Sequence, residues 1–192
     1  MISGIILASG FSKRMEQEKL LLPVGGIALV ERVLRAARAS RLDDIILIYQ
    51  KEEIQKIGRK YGIPAVYNSR AAEGQSSAIK LGINAASPET DAFMFMVGDQ
   101  PFLNPSTINI LIDTFHQDPR SIIVPVYSGI RGNPVLFPAV MKELLLTLEG
   151  DRGGRVLIEK MPDRVNLVSI AEETPGTDID TEEDYRRIKD NN

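Results

Sequence analysis

The sequence predicts an α/β fold: three layers, with a mostly parallel sheet between helices. Three observations carry the prediction. Short apolar runs alternate with longer stretches of helical period, the pattern of parallel strands joined by crossover helices. One of these runs, Ala92–Val97, is apolar throughout, as a strand covered on both faces must be. The chain has 192 residues, enough for one core that removes roughly 70% of the unfolded surface from water. No repeat, low-complexity tract or linker divides it, so residues 1–192 are expected to form one domain.

The elements follow in order. Ile2–Leu7 reads as a buried first strand, followed by a loop rich in Gly, Ser and charge. Pro23–Gly26 is expected to turn the chain into a helix with Ile27, Val30, Leu34 and Ala37 on its inner face. Ile45–Tyr49 is a strand, Glu52–Tyr61 a helix, Ala65–Tyr67 a short strand and Ser76–Ala86 a helix with Ile79, Ile83 and Ala86 in phase. After Ala92–Val97, Asn104 caps a helix that has Pro105 at its first position and Ile108, Leu111, Ile112 and Phe115 inward. Ser121–Val126 and Pro134–Phe137 are strands separated by a Gly-containing turn, and helices are expected around Val140–Leu148 and Gly154–Met161. Val165–Ser169 is a strand, and Thr181-Glu182-Glu183-Asp184 has the capping-box pattern of a last helix.

Composition then limits the chemistry. Apolar residues make up 43% and charged residues 26%, ordinary for a folded soluble chain. With 23 basic and 26 acidic side chains the net charge is −3, which excludes a phosphate-tracking nucleic-acid surface as the organising feature. The absence of cysteine excludes disulfides, thiolate catalysis and thiolate metal sites. The single histidine, His116, ends a helix and reads as a surface residue. A bound metal is therefore expected to be a hard ion held by carboxylates and phosphates, Mg²⁺ first. Ile5–Ala8 is too short for a secretory core, and no apolar run approaches the roughly 18 residues of a membrane span. A cytoplasmic protein that engages no membrane is expected.

In open α/β sheets, ligands bind at the carboxyl ends of the strands, so the residues just after each strand hold the candidates. The first strand leads into Leu7-Ala8-Ser9-Gly10, then Arg14, then Lys19-Leu20-Leu21-Leu22-Pro23. The small residues permit close approach of backbone amides to phosphate oxygens, and Arg14 and Lys19 add positive charge. Neither GxxxxGK[ST] nor a GxGxxG after a strand is present. The residues by themselves leave open a nucleotide loop or a connector with a solvated charge cluster. Gly98-Asp99-Gln100-Pro101 ends the central strand, where an aspartate must be solvated, paired or metal-bound. A turn aspartate is the plain alternative, but Asn104 already caps the next helix and leaves Asp99 to ligate a cation. Gly74-Gln75-Ser76-Ser77, Gly132-Asn133-Pro134 and Gly150-Asp151-Arg152-Gly153-Gly154-Arg155 each also read as ordinary turn or cap chemistry. Asp178 and Asp180, two apart, face one way in an extended segment, or simply precede a helix N-terminus.

Taken together and in this order, these motifs resemble the nucleotidyltransferases of the molybdenum cofactor pathway. The match runs from residue 4 to about residue 186, through the Leu7–Met15 segment, Lys19–Pro23, Gly98–Pro101, Gly132–Phe137, Gly150–Arg155 and Asp178–Tyr185. The cytidylyltransferase (MocA-like) branch is the most similar; Ser9 stands where the family usually has alanine and the guanylate branch a second glycine, and Glu16 where a glycine is usual. The resemblance implies a Rossmann-like nucleotidyltransferase fold and transfer of a nucleoside monophosphate, CMP favoured, from Mg²⁺–NTP to the phosphate of molybdenum cofactor. By the same resemblance, Leu7, Ala8, Ser9, Gly10, Arg14, Lys19, Gly74, Ser76 and Ser77 bind CTP (or GTP), and Arg14, Lys19 and Asp99 are catalytic. Asp99 and Asp180 hold the metal, with Asp178 the alternative second ligand; Gln100, Pro101, Gly132, Asn133, Pro134, Asp151 and Arg155 border the acceptor. Docking to a molybdoenzyme or its chaperone is the implied partner interaction. A sugar-phosphate or other small-phosphate acceptor, and a non-catalytic cofactor chaperone, are the competing readings.

Overall fold

The computed structural model describes residues 1–10, 18–171, 177, 179 and 181–190. Its main sheet has eight strands: β1 (Ile2–Ala8), β4 (Asp44–Tyr49), β5 (Ala65–Tyr67), β6 (Ala92–Val97), β7 (Ile122–Tyr127), β8 (Ile130–Arg131), β9 (Val135–Pro138) and β10 (Val165–Ile170). They lie in the order β10-β7-β9-β6-β1-β4-β5, with β8 paired to β7. The pairs β1–β4, β1–β6, β4–β5 and β7–β10 are parallel, whereas β9 runs antiparallel to both β6 and β7. The sheet is thus mixed and mostly parallel. The antiparallel insertion is fixed by the pairs Phe93–Phe137 and Ile123–Leu136, which put large apolar side chains of neighbouring strands side by side.

The period-2 alternation of β1 builds the three layers. Ile2, Ile6 and Ala8 face α1 (Leu29–Arg38), α2 (Glu52–Lys60) and α4 (Pro105–Gln117), where Val33, Leu34, Ile54, Leu111 and Phe115 are buried. Ile5, on the other face, packs with Ile79 and Ile83 of α3 (Gln75–Ala85), Leu145 of α5 (Lys142–Leu146) and Leu157 and Ile158 of α6 (Arg155–Lys160). Full burial of one such side chain stabilises by about 1.5–3 kcal/mol, so two such layers can support polar groups placed at the strand ends.

Local signals held where the side chain itself makes the bond. Asn104 Oδ1 accepts from Thr107 N at 2.8 Å, and Thr181 and Asp184 form the capping box of α7 (Glu182–Asp190). His116 is exposed near the end of α4. One expectation is corrected. Pro23–Gly26 does not lead straight into a helix: β2 (Pro23–Val24) and β3 (Ile27–Ala28) form a small antiparallel hairpin, and Ile27 belongs to it rather than to the inner face of α1. Gly25 and Gly26 have φ of 57° and 76°, the paired left-handed turn that glycine alone adopts without strain. Arg32 fixes the hairpin by donating from Nε and Nη2 to Val24 O, at 3.0 and 2.7 Å. No helix among the described residues is long and apolar enough to cross a membrane.

Candidate active site

The strand order changes direction at β1: β4 and β5 lie on one side and β6 on the other. The crevice at the carboxyl ends of β1 and β6 is therefore the expected ligand position. Ala8 and Ser9 are buried there and Gly10 is exposed. Leu20, in the 3-10 turn Lys19–Leu21, fills the space beside Gly98; a Cβ at Gly98 would sit 3.3 Å from Leu20 Cδ2. That contact brings the opening segment against the end of β6, and Lys19 Nζ lies 2.7 Å from Asp99 Oδ2. The second carboxylate oxygen, Asp99 Oδ1, is buried with no hydrogen-bond partner. Leaving such an acceptor unmade costs about 1–3 kcal/mol in an ordinary interior.

A further strand of chain closes over this point. Ile179 is fully buried with Val24 and Leu29, and its N–H donates to Asp99 O at 3.3 Å. Tyr185 of α7 donates from Oη to Pro23 O at 2.7 Å, tying the last helix to the hairpin that follows Lys19. The expected metal residues Asp178 and Asp180, and Arg14 of the opening loop, lie outside the described residues. The donor set that is described fits a hard divalent ion. Asp99 offers a buried oxygen that no group among the described residues uses, and the chain has no Cys and one exposed His, so nothing described favours a softer metal. Among the described residues no three His, Cys, Asp or Glu side chains converge.

Beside the opening loop, the ends of β1 and β5 and the first turn of α3 are linked through Asn68, which sequence reasoning did not single out. Asn68 follows β5, is almost fully buried, and donates from Nδ2 to Ser9 Oγ and Ser77 Oγ, each at 2.9 Å. Ser77 Oγ in turn donates to Gly74 O at 2.8 Å. An Asn after a short strand reads as a turn residue, so only the fold reveals this network. Ser76 and Ser77 are buried in the first turn of α3, and neither caps it. Gly74 has φ 95° and abuts the Gly150–Arg152 turn: a Cβ there would lie 2.5 Å from the Gly150 carbonyl carbon and 2.6 Å from Asp151 Oδ1. Two motifs 76 residues apart in sequence therefore share one wall.

On the far side of that wall opens a cleft of about 810 Å³. Its floor is apolar, with Leu7, Ile79, Phe95, Val97 and Phe137, and its rim carries Gln75, Arg131, Gly132, Asn133, Asp151, Arg152, Arg155 and Glu159. The structure thus brings together Leu7, Gly132, Asn133, Asp151 and Arg155 from the expected set. Pro134 is buried behind the rim, and Gln100 and Pro101 are buried outside the cleft wall. Arg131, Arg152 and Gln75 were not anticipated; Arg152 and Gln75 sit inside the Gly150–Arg155 and Gly74–Ser77 segments, where the pattern was legible but the individual side chain was not. Tyr127 shapes the rim by donating from Oη to Asn133 O at 2.7 Å, with Gly132 against its ring.

The sequence pattern of the MobA-like NTP transferase domain matches residues 4–165, most of the chain. The chain belongs to this family. Purine catabolism protein PucB of Bacillus subtilis is 29% identical over 97% of this chain and 95% of its own length. Nicotine blue oxidoreductase of Paenarthrobacter nicotinovorans is 27% identical (97% and 96%), and a probable molybdenum cofactor guanylyltransferase of Pyrococcus furiosus is 28% identical (98% and 97%). Among solved structures, Rv0371c of Mycobacterium tuberculosis in complex with manganese aligns over 98% of both chains with a TM-score of 0.83 and 25% identity. This MobA-like chain is a nucleotidyltransferase with the α/β fold of that family.

Proposed function

We propose that this nucleotidyltransferase moves a nucleoside monophosphate, CMP in preference to GMP, from a metal-bound NTP to the phosphate of molybdenum cofactor. The observation that carries the reading is Asp99, held by Lys19 at the end of the central strand with Oδ1 buried and unused. A carboxylate kept in that state beside a loop of small residues is suited to a cation that arrives with its substrate. The named relatives add support for divalent metal and molybdenum cofactor chemistry: one solved relative is a manganese complex and one curated relative is a probable molybdenum cofactor guanylyltransferase.

In this reading the amides after Ala8 and the charges of Arg14 and Lys19 hold the triphosphate, with Ser76 and Ser77 toward the base and ribose. Asp99 and Asp180 would hold Mg²⁺, which when bound neutralises phosphate charge and orients the α-phosphate. The acceptor lies in the cleft with its flat body on the apolar floor, a surface that suits a heteroaromatic ring better than a sugar. Its phosphate oxygen attacks the α-phosphorus in line; the new P–O bond forms as the bond to the β-phosphate oxygen breaks, and pyrophosphate leaves. In this reading Lys19, 2.7 Å from Asp99, stabilises charge on the departing oxygens. Positioning and charge neutralisation suffice for such a transfer, so a chain without cysteine and with one surface histidine is equipped for it.

Product analysis after incubation with molybdenum cofactor, Mg²⁺ and the four nucleoside triphosphates tests the reading. The expected product is the cytidine dinucleotide form of the cofactor, with stoichiometric pyrophosphate. Transfer to sugar phosphates but not to molybdenum cofactor, or tight cofactor binding without nucleotide turnover, would overturn it.

A further inference from the structure

One wall of the cleft carries Arg152 and Arg155, and both guanidinium groups bind a single carboxylate. Arg155 donates from Nε to Glu159 Oε1 at 2.9 Å, and Arg152 donates from Nη2 to Glu159 Oε2. The first pair is one turn apart on α6, an ordinary helix neighbour. The second is not. Arg152 stands seven residues from Glu159, in the turn before α6, and reaches it because the chain reverses at Gly153. The turn packs against α3: a Cβ at Gly153 would lie 2.0 Å from Gln75 Oε1, and its φ of 51° favours glycine. The second arginine is therefore delivered to the carboxylate by the fold and not by helix periodicity.

Two guanidinium groups converging on one small anion at a cleft wall form the arrangement that binds a phosphate group. While Glu159 is in place the wall is electrically balanced, with Arg152 and Arg155 against Asp151 and Glu159. The Arg155 and Arg152 contacts hold the Glu159 carboxyl below the usual carboxylate range, so it is fully charged at neutral pH. We propose that Arg152 and Arg155 form the anion subsite for the acceptor's phosphomonoester, and that Glu159 fills it as an internal anion which the acceptor must displace. The inference rests on the acceptor reading above and assigns residues to it. Displacing the carboxylate costs the same for every incoming anion, so only a ligand with more charge and more acceptor oxygens than a carboxylate gains by entering. A doubly charged phosphomonoester meets that condition; a simple carboxylate does not. Glu159 is then a specificity-determining residue, not a catalytic one.

The test uses phenyl phosphate, a flat ring bearing a phosphomonoester, titrated into the full chain without nucleotide or metal. Calorimetry gives the affinity, and the Nε–H resonance of Arg155 reports where the ligand sits. Glu159→Gln is expected to tighten binding about tenfold, the size of two partly exposed ion pairs, and Arg152→Gln to weaken it by a similar factor. The Arg155 signal should move as phenyl phosphate saturates the wild-type chain. Binding that is unchanged or weaker in Glu159→Gln, or an Arg155 resonance that stays still at saturation, would overturn the proposal. A Glu159→Ala variant with an unchanged thermal midpoint serves if the glutamine variant folds poorly. Because no nucleotide is involved, a negative result here leaves the transferase reading standing, and failed transfer to molybdenum cofactor leaves this subsite standing.

Discussion

At the amino ends of the central strands the carboxylates of Asp43 and Asp91 close hydrogen bonds; at their carboxyl ends Asp99 keeps one buried oxygen out of any. Asp43 Oδ2 accepts from Ile2 N at 2.7 Å, Asp91 binds the amino terminus at 2.5 Å, and Ser3 and Thr90 share a buried hydrogen bond of 2.7 Å. At the other end of the same strands Asp99 gives one oxygen to Lys19 and leaves the other buried without a partner. Chemistry and strand are alike, so the difference lies in purpose. A polar group that closes a strand end stabilises the fold, whereas one held open at stability's expense is available to a ligand.

The sharpest way to break that contrast is Asp99→Ala. Pyrophosphate release from NTP in the presence of acceptor should fall on the order of 10³-fold or more, while the thermal midpoint changes little, because the lost pair was only half satisfied. Turnover near the wild-type rate would remove the functional meaning of the open oxygen. Lys19→Ala comes next, with a loss on the order of 10²-fold in kcat/KM for the nucleotide. At the opposite end the prediction inverts. Asp43→Ala should leave turnover untouched but cost about 1–3 kcal/mol in denaturant unfolding, since it strands the buried N–H of Ile2.

The smallest expected effect sharpens the comparison by pH. Glu31 is a third bonded carboxylate: its Oε1 accepts from Tyr61 Oη at 2.5 Å, Arg35 Nη2 at 2.9 Å and Lys60 Nζ at 3.0 Å. The Tyr61 hydrogen bond, outweighing desolvation and helped by Lys60 and Arg35, lowers its pKa from 4.5 to about 2. A depressed carboxyl contributes stability that is complete above about 4.5 and is lost as pH falls from there toward 2. Tyr61→Phe should therefore reduce stability at pH 7 by less than about 1 kcal/mol and flatten the dependence between pH 4.5 and 2, read as denaturant midpoints across that range.

Much of this was legible in the residues. Ala92–Val97 and Ala65–Tyr67 are strands with the predicted ends, and Asn104 and Thr181 announce their helices because a cap is a local bond between near neighbours. The hairpin at Pro23–Ala28 was missed because two residues per strand show no periodicity, only a Gly-Gly turn. The antiparallel course of β9 was missed for a different reason: a four-residue apolar strand carries no mark of its neighbours, and its place depends on pairing with Phe93 and Ile123 far along the chain. In the site, Lys19 and Asp99 were each visible, but not that Leu20 packing on Gly98 would join them. Asn68 and Glu159 carried no signal, and Arg152 only that of the motif around it, since a polar residue acquires a role only from what the fold sets opposite it.

The bare approach of Gly74 to Gly150 and Asp151 carries a consequence for how such an enzyme can change. Main chain and the Asp151 carboxylate meet Gly74 at this partition, with not even a methyl group of slack between them. Any enlargement of the cleft at this partition would shift the start of α3 and disturb the Ser9–Asn68–Ser77 network with it. Variation toward new acceptors has room only along the outer rim, at the β8 turn and on α6, where a side chain can be exchanged without moving its neighbour across the divide.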